Sequence, residues 1–286
     1  MFRMTFQYTG LLFGLLFLNF FPTPIRAASK ICASEAALQE VHGVFLAVAK
    51  VTGTGKKTIS ARMLVDTGAP YTTLSQQVCN QVKCKDAKNN PSPVVLAFGG
   101  EAFAVMEPEP ESSETPSKYL KADGVLGADV LLAKDIVLDL RKKTLCILPD
   151  TLENSYLKLG LKKMKARYDS DGLAWIDVVA KDVKANCFFD SGSNRTSFAL
   201  EDIKRMKLPK TGNGKYADVR HDGYTLDHFG PVTISIANFT KKLDYISEAP
   251  ISEHIKYTKL GTDFMSGFKI GFSSQSGHVY ISESKD

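Results

Sequence analysis

Met63-Leu-Val-Asp-Thr-Gly-Ala-Pro-Tyr-Thr-Thr-Leu74 and Cys187-Phe-Phe-Asp-Ser-Gly-Ser-Asn-Arg-Thr-Ser-Phe198 are one pattern written twice, 124 residues apart and without a gap. Asp66 falls on Asp190, Thr67 on Ser191, Gly68 on Gly192 and Thr72 on Thr196, while apolar positions fall on apolar positions. A second block, Val125-Leu-Gly-Ala-Asp-Val-Leu131, returns as Lys259-Leu-Gly-Thr-Asp-Phe-Met265 at an offset of 134. Beyond it Ile136 matches Ile270, Leu138 matches Phe272 and Ile147 matches Ile281. Two blocks recurring in the same order at nearly the same offset imply two related units.

Between the blocks, most of each unit reads as short strands with β-type composition. Val44 to Val51 and Thr58 to Val65 are joined by Thr52-Gly-Thr-Gly55, and Trp175 to Ala180 with Ala185 to Phe189 repeats that arrangement. Gly99-Gly100, between Val94-Val-Leu-Ala-Phe98 and Glu101-Ala-Phe-Ala-Val105, is a two-residue hairpin signal, because such turns need positive φ. Asp222-Gly223 offers the same signal in the second unit, and the two turns lie 33 and 32 residues after Asp66 and Asp190. They are therefore read as equivalent hairpins. Short helices are expected after each aspartate motif, one capped by Ser75 and one carrying Leu200, Ile203 and Met206 at helical spacing. The expectation is an all-β fold of two related, barrel-like lobes over 28–150 and 173–286, with short helices and a cleft between them. Residues 151–172, with the basic run Lys158, Lys162, Lys163, Lys165 and Arg167, read as a solvated connection. Residues 107–117 read as an acidic, proline-rich loop inside the first lobe.

Residues 1–27 have the layout of a secretory signal: Arg3, an apolar run from Leu11 to Phe21, then Pro22 to Ala27. An uncleaved anchor is the alternative. The expected location is secreted or periplasmic, with no membrane contact beyond that segment. Without it the chain carries 34 basic and 31 acidic residues, a balance of +3 that does not point to nucleic acid. Five cysteines in an exported chain allow at most two disulfides. Cys79 and Cys84 are close enough to pair, Cys32 with Cys146 is a second candidate, and Cys187 in an apolar strand suits a free buried thiol. Neither CxxC nor HExxH occurs and the five histidines are scattered, so neither a metal nor a cofactor is expected.

An Asp-Thr/Ser-Gly tripeptide at the end of an apolar strand delivers a carboxylate into a dry setting. The glycine permits close approach of a neighbour, and the hydroxyl can donate to facing backbone. One such tripeptide also makes an ordinary strand-end turn. Two of them in related units, packed about a twofold axis, bring two carboxyls together to share a proton. Asp129 and Asp263 recur as well, after a glycine and before an apolar run, which reads as helix capping.

These motifs resemble the aspartic proteases of the pepsin and retropepsin clan. The stretch Asp-Gly-Val-Leu-Gly-Ala-Asp-Val-Leu131, followed by an Ile-x-Leu-Asp strand, is more similar to bacterial retropepsin-like members. The resemblance covers roughly 43–148 and 173–282. It implies the acid-protease fold as a single-chain pseudo-dimer, and an extended peptide as the partner. Asp66 and Asp190 would be the catalytic pair, with Thr67, Gly68, Ser191, Gly192 and Ser193 as its scaffold. Leu126-Gly127 and Leu260-Gly261 would be the apolar-apolar-Gly elements crossing beside them. The hairpins at Phe98, Gly99 and Gly100 and at Asp222 and Gly223 would be flaps, with Phe98 or Phe103 covering the cleft.

Three departures bear on the chemistry. Ala69 and Ser193 differ at equivalent positions, so Ser193 is expected to favour ionised Asp190. Lys259 stands where the element calls for an apolar residue. The distance from the signal to the first strand, about 15 residues, is short for a pepsin-type prosegment. Two functions follow: an endopeptidase with an acid-shifted optimum, or a catalytically silent relative that binds peptides or inhibits another protease.

Overall fold

His42 and Gly43, both at positive φ (51° and 83°), close the first hairpin between β1 (Ser34–Val41) and β2 (Val44–Thr52). β2 is flanked by β1, β3 (Thr58–Val65) and β5 (Val94–Phe98), and its Val44-Phe45-Leu46-Ala47 is buried on both faces, Phe45 and Ala47 in the main core and Val44 and Leu46 in a second apolar cluster. The computed structural model describes residues 31–85, 90–106, 109–110, 120–149, 153–218, 221–249 and 258–284, without side chains at 109–110 and 215–224. The expected signal segment lies outside these residues, as does most of the acidic loop.

The first half continues through β4 (Thr73–Leu74), α1 (Gln76–Val82), β6 (Glu101–Val105), β7 (Glu109–Pro110), β8 (Gly124–Leu126), α2 (Ala128–Leu131), β9 (Ile136–Asp139) and β10 (Thr144–Ile147). After α3 (Glu153–Lys158) the second half runs β11 (Lys162–Lys165), β12 (Arg167–Tyr168), β13 (Ala174–Ala180), β14 (Val183–Phe189), β15 (Ser197–Phe198) and α4 (Leu200–Met206). It ends with β16 (Lys210–Asp218), β17 (His221–Phe229), β18 (Val232–Ile236), β19 (Phe239–Leu243), β20 (Ile246–Glu248), β21 (Lys259–Leu260), α5 (Thr262–Met265), β22 (Phe268–Ser273) and β23 (His278–Glu283). The chain is thus mostly β, in two large curled sheets of 13 and 10 strands.

Pairing repeats between the halves. β3 runs parallel to β8 as β14 runs parallel to β21, and α2 and α5 follow β8 and β21. The halves meet along β9 and β22, where Leu138 pairs with Ile270 and Ile136 with Phe272. Ile136 is the sequence equivalent of Ile270, and Leu138 of Phe272, so the two pairs are each other's equivalents, the signature of a twofold axis. One continuous apolar core runs through both halves and includes Met63, Leu126, Phe189, Leu260 and Phe272.

Two expectations are corrected. Residues 162–168 are not a bare connection: β11 pairs with β23 and β12 with β13, as β1 pairs with β10 and then β2. The three lysines of this edge strand are exposed, Lys162 reaching over the Phe239 ring at 5.6 Å, while Met164 packs on the core. The hairpins were also matched wrongly. β5–β6 joins β2 through Val51↔Leu96, and its counterpart joins β13 through Ala180↔Ile234, which makes that counterpart β18–β19. The β16–β17 hairpin is additional to the second half among the described residues.

Both cysteine candidates pair. Cys32–Cys146 ties the N-terminal end of β1's approach to β10, Cys79–Cys84 closes the end of α1, and Cys187 is free and buried. Disulfides suit an oxidising, extracellular compartment. Among the described residues no helix is long and apolar enough to cross a membrane.

Candidate active site

Apolar strands β3 and β14 each end on an aspartate whose amide is held by the parallel neighbour. Asp66 N–H donates to Leu126 O and Asp190 N–H to Leu260 O, both at 3.0 Å. The hydroxyls of the next residues then cross the axis. Thr67 Oγ1 donates to Phe189 O at 2.8 Å and accepts from Ser191 N–H at 3.1 Å. Ser191 Oγ donates to Val65 O at 2.7 Å and accepts from Thr67 N–H at 3.0 Å. Four hydrogen bonds in the dry interior lock two loops that are 124 residues apart. Thr67 and Ser191 are at most 1 % exposed, so these groups have no water to fall back on.

Gly68 and Gly192 let the loops close. A Cβ on Gly68 would lie 2.6 Å from Asp190 Cγ, and one on Gly192 would sit inside the Asp66 carboxyl. Each glycine therefore faces the opposite carboxyl. Asp66 and Asp190 are both 7 % exposed, and each packs against the glycine of the other's loop. Burial, then the neighbouring Asp190 charge, pushes the Asp66 pKa up to about 8, against weaker lowering by the Gly68 N–H and by Lys259.

A second bonding layer repeats beneath the first. Thr72 Oγ1 donates to Asp129 Oδ1 at 2.7 Å and accepts from Gly127 N–H at 3.0 Å. Thr196 Oγ1 donates to Asp263 Oδ1 at 2.6 Å and accepts from Gly261 N–H at 3.0 Å. Asp129 and Asp263 are therefore not N-caps, which are Gly127 and Gly261. They sit inside the short helices and tether them to the aspartate loops. Gly127 and Gly261 lie against the backbones of Tyr71 and Arg195, equivalent residues of those loops, leaving no room for a Cβ.

Neither a protein-family model nor a curated protein matches the chain.

Three readings of individual residues change. Ser193 Oγ donates to Arg195 O at 2.9 Å and serves the loop rather than Asp190. The group on Asp190 is Lys259, whose Nζ lies 2.7 Å from Oδ2 with its side chain 24 % exposed. The sequence carried this signal, a lysine in an apolar slot, but nothing in it gave the direction of the side chain. Phe98 and Phe103 stack on each other at 5.0 Å within the core, and Gly99 and Gly100 pack toward Ala36 and Ser34 of β1. That hairpin is part of the sheet wall, not a free cover. In the other hairpin Asp218 pairs with His221, and Asp222 and Gly223 are in strand β17.

The base of β16–β17 stands beside the second aspartate loop. His228 stacks on Tyr245 at 4.1 Å, and the Arg195 guanidinium lies 4.8 Å from the same ring. An open pocket of about 340 Å³ lies next to this loop, walled by the His42-Gly43 turn, Asn194, Arg195 and Asp263. Neither Asp66 nor Asp190 lines it, so it flanks the carboxyl pair rather than containing it. Among the described residues no cluster of His, Cys, Asp and Glu is arranged to hold a metal ion.

A carboxyl pair with one shared proton can take a proton from one group while giving another away. That is acid–base chemistry on a single bound molecule.

Proposed function

We propose that the chain is an aspartic endopeptidase, its two halves forming the lobes of an acid-protease fold around an extended peptide. The reading is carried by one observation: two buried carboxyls from equivalent loops each face the glycine of the opposite loop, and the loops are fixed there by crossed hydroxyl bonds.

In this mechanism a water held between Asp66 and Asp190 attacks the scissile carbonyl carbon. One carboxylate takes a proton from the water as the new C–O bond forms, and the other carboxyl gives its proton to the carbonyl oxygen. A tetrahedral diol results. When the C–N bond breaks, the first carboxyl protonates the leaving nitrogen and a diol hydroxyl returns a proton to the second. Both residues end as they began, and no covalent enzyme intermediate forms. On this reading the β16–β17 hairpin, whose base lies beside Arg195, would cover bound peptide. Export through the 1–27 segment would bring the protein to the periplasm or the medium.

A second reading, a silent relative that binds peptides or inhibits another protease, is favoured by the ammonium already bonded to Asp190. Incubation of the purified chain with denatured casein from about pH 3 to about pH 8, beside Asp66→Asn, separates the two. Cleavage by the parent alone supports the hydrolase. Inert parent and variant that still retain peptides support the binding module. Cleavage that survives the substitution removes Asp66 from the chemistry altogether.

A further inference from the structure

Val125 and Lys259 occupy the same place in the two halves. Each precedes the leucine whose carbonyl holds an aspartate amide, and Val125 pairs with Leu64 in β3 as Lys259 pairs with Phe188 in β14. Val125 is buried in a small apolar cluster beside Ala69. The lysine instead turns its four-carbon stem along the strand and sets Nζ on Asp190 Oδ2 at 2.7 Å. The twofold symmetry of the hydroxyl latch therefore does not extend to charge. A partly buried ammonium touches one carboxyl of the pair, and the other carboxyl has the Gly68 N–H on Oδ1 at 2.9 Å.

We propose that Lys259 is a positioning residue for the carboxyl pair: its ammonium assigns the negative charge to Asp190 and the shared proton to Asp66, making Asp190 the base and Asp66 the acid. This rests on the hydrolase reading for its catalytic consequence, but the placement of the proton does not. Symmetric carboxyls would share one proton between two equivalent states. The cation breaks that equivalence, because an opposite charge in contact favours the ionised form of the group it touches. Among the described residues, the strands paired with β21 present uncharged groups to Lys259. β14 presents Phe188 and β15 presents Ser197 opposite Lys259, and neither titrates in the working range. β20 pairs Ser247 with Ser197 and carries Glu248 opposite Phe198, one residue further along. Arg195, on the same loop as Asp190, is turned onto Tyr245. Asp66, Asp190 and Lys259 are thus a three-charge unit.

The consequence is a wide pH range. The cation makes the first proton leave the pair more easily, so the singly protonated state begins at lower pH. The second proton is still held by burial and by the Asp190 charge, consistent with Asp66 retaining it toward about 8. Activity is therefore expected to extend from acid to neutral pH, in contrast to the acid-shifted optimum that the motifs alone imply.

The test is a pH–rate profile on a casein-derived fluorogenic substrate for the parent, Lys259→Arg and Lys259→Met, with carboxyl-carbon NMR titration of the parent and Lys259→Met. Lys259→Met is expected to move the acidic limb up by about 1–3 pH units, and Lys259→Arg to leave it in place. The NMR is expected to show Asp66 protonated and Asp190 ionised in the parent near neutrality, with the assignment blurred in Lys259→Met. Superimposed parent and methionine profiles, or a parent proton found on Asp190, would overturn the proposal. A chain that cleaves nothing but shows the lysine-dependent proton order keeps the placement and removes the hydrolase. The parent NMR needs no variant, so a misfolded Lys259→Met leaves the proposal exposed to refutation.

Discussion

Asp66→Asn is expected to abolish cleavage and at the same time stabilise the fold at neutral pH. The reason lies in the cost of burying this carboxyl beside another. An acid whose pKa rises from 3.8 in the unfolded chain to about 8 in the folded one must pick up a proton on folding wherever the pH lies between those values. The folded state then binds more protons than the unfolded state, so stability falls as pH rises. The loss begins near 3.8, continues to about 8 and is absent below the lower value. At about 1.4 kcal/mol per pH unit, the accumulated penalty at pH 7 has a ceiling of about 4 kcal/mol. Asparagine has the shape of the protonated acid, its oxygen can accept from Gly68 N–H, and it needs no proton. Urea denaturation of parent and variant at about pH 3.5, 5 and 7 reads the difference directly. The curves should nearly coincide at the lowest pH and separate in favour of the variant as pH rises. Casein cleavage by the variant should fall by about a hundred- to ten-thousand-fold. A pH-independent difference, or a parent more stable at neutrality, would refute the argument that Asp66 is buried in its neutral form.

The remaining expectations concern the scaffold. Thr67→Ala strands the Phe189 carbonyl and the Ser191 N–H in the interior and should cost about 2–4 kcal/mol, with Thr67→Ser close to parent in the same denaturation assay. Gly127→Ala or Gly261→Ala would drive a methyl into the backbone of Tyr71 or Arg195, and should lower the thermal midpoint and the activity together. Loss of Cys32–Cys146, which closes a span of 114 residues, should cost about 4–5 kcal/mol, against about 2 kcal/mol for Cys79–Cys84, which closes 5; single serine variants at Cys146 and Cys84 compare them.

What could be read from the sequence was what local chemistry determines. An apolar strand ending in Asp-Thr-Gly or Asp-Ser-Gly must turn, and its repetition at a fixed offset predicted the paired loops before any contact was known. Ser75 caps α1 by accepting from Val78 N–H at 3.3 Å, and Ile203 and Met206 are the buried face of α4, both as patterned. The failures share a cause. Counting residues from Asp66 and Asp190 made two hairpins look equivalent, because turn chemistry does not say which strand a hairpin joins. The pairing of Val51 with Leu96 and of Ala180 with Ile234 decides that, and it is long-range. Lys162 to Lys165 looked like a solvated run because an edge strand with one partly covered methionine has almost no apolar period to detect. Lys259 was visible as an anomaly, yet its partner is 69 residues away in sequence.

That anomaly explains what a single chain gains over two identical ones. In a symmetric pair, a lysine at this position would occur twice, and two ammonium groups would face two carboxyls. Each carboxylate would then have its own counter-charge, and the electrostatic reason for holding one shared proton would largely vanish. A base would remain without an acid. With both halves on one chain, the equivalent positions can differ, and here they do: Val125 keeps one side apolar while Lys259 charges the other. Burial and like-charge repulsion can then retain the proton on Asp66 while Lys259 stabilises the charge on Asp190. The paired loops require symmetry to bring the carboxyls together, and the chemistry proposed for them requires that symmetry to be broken at one residue.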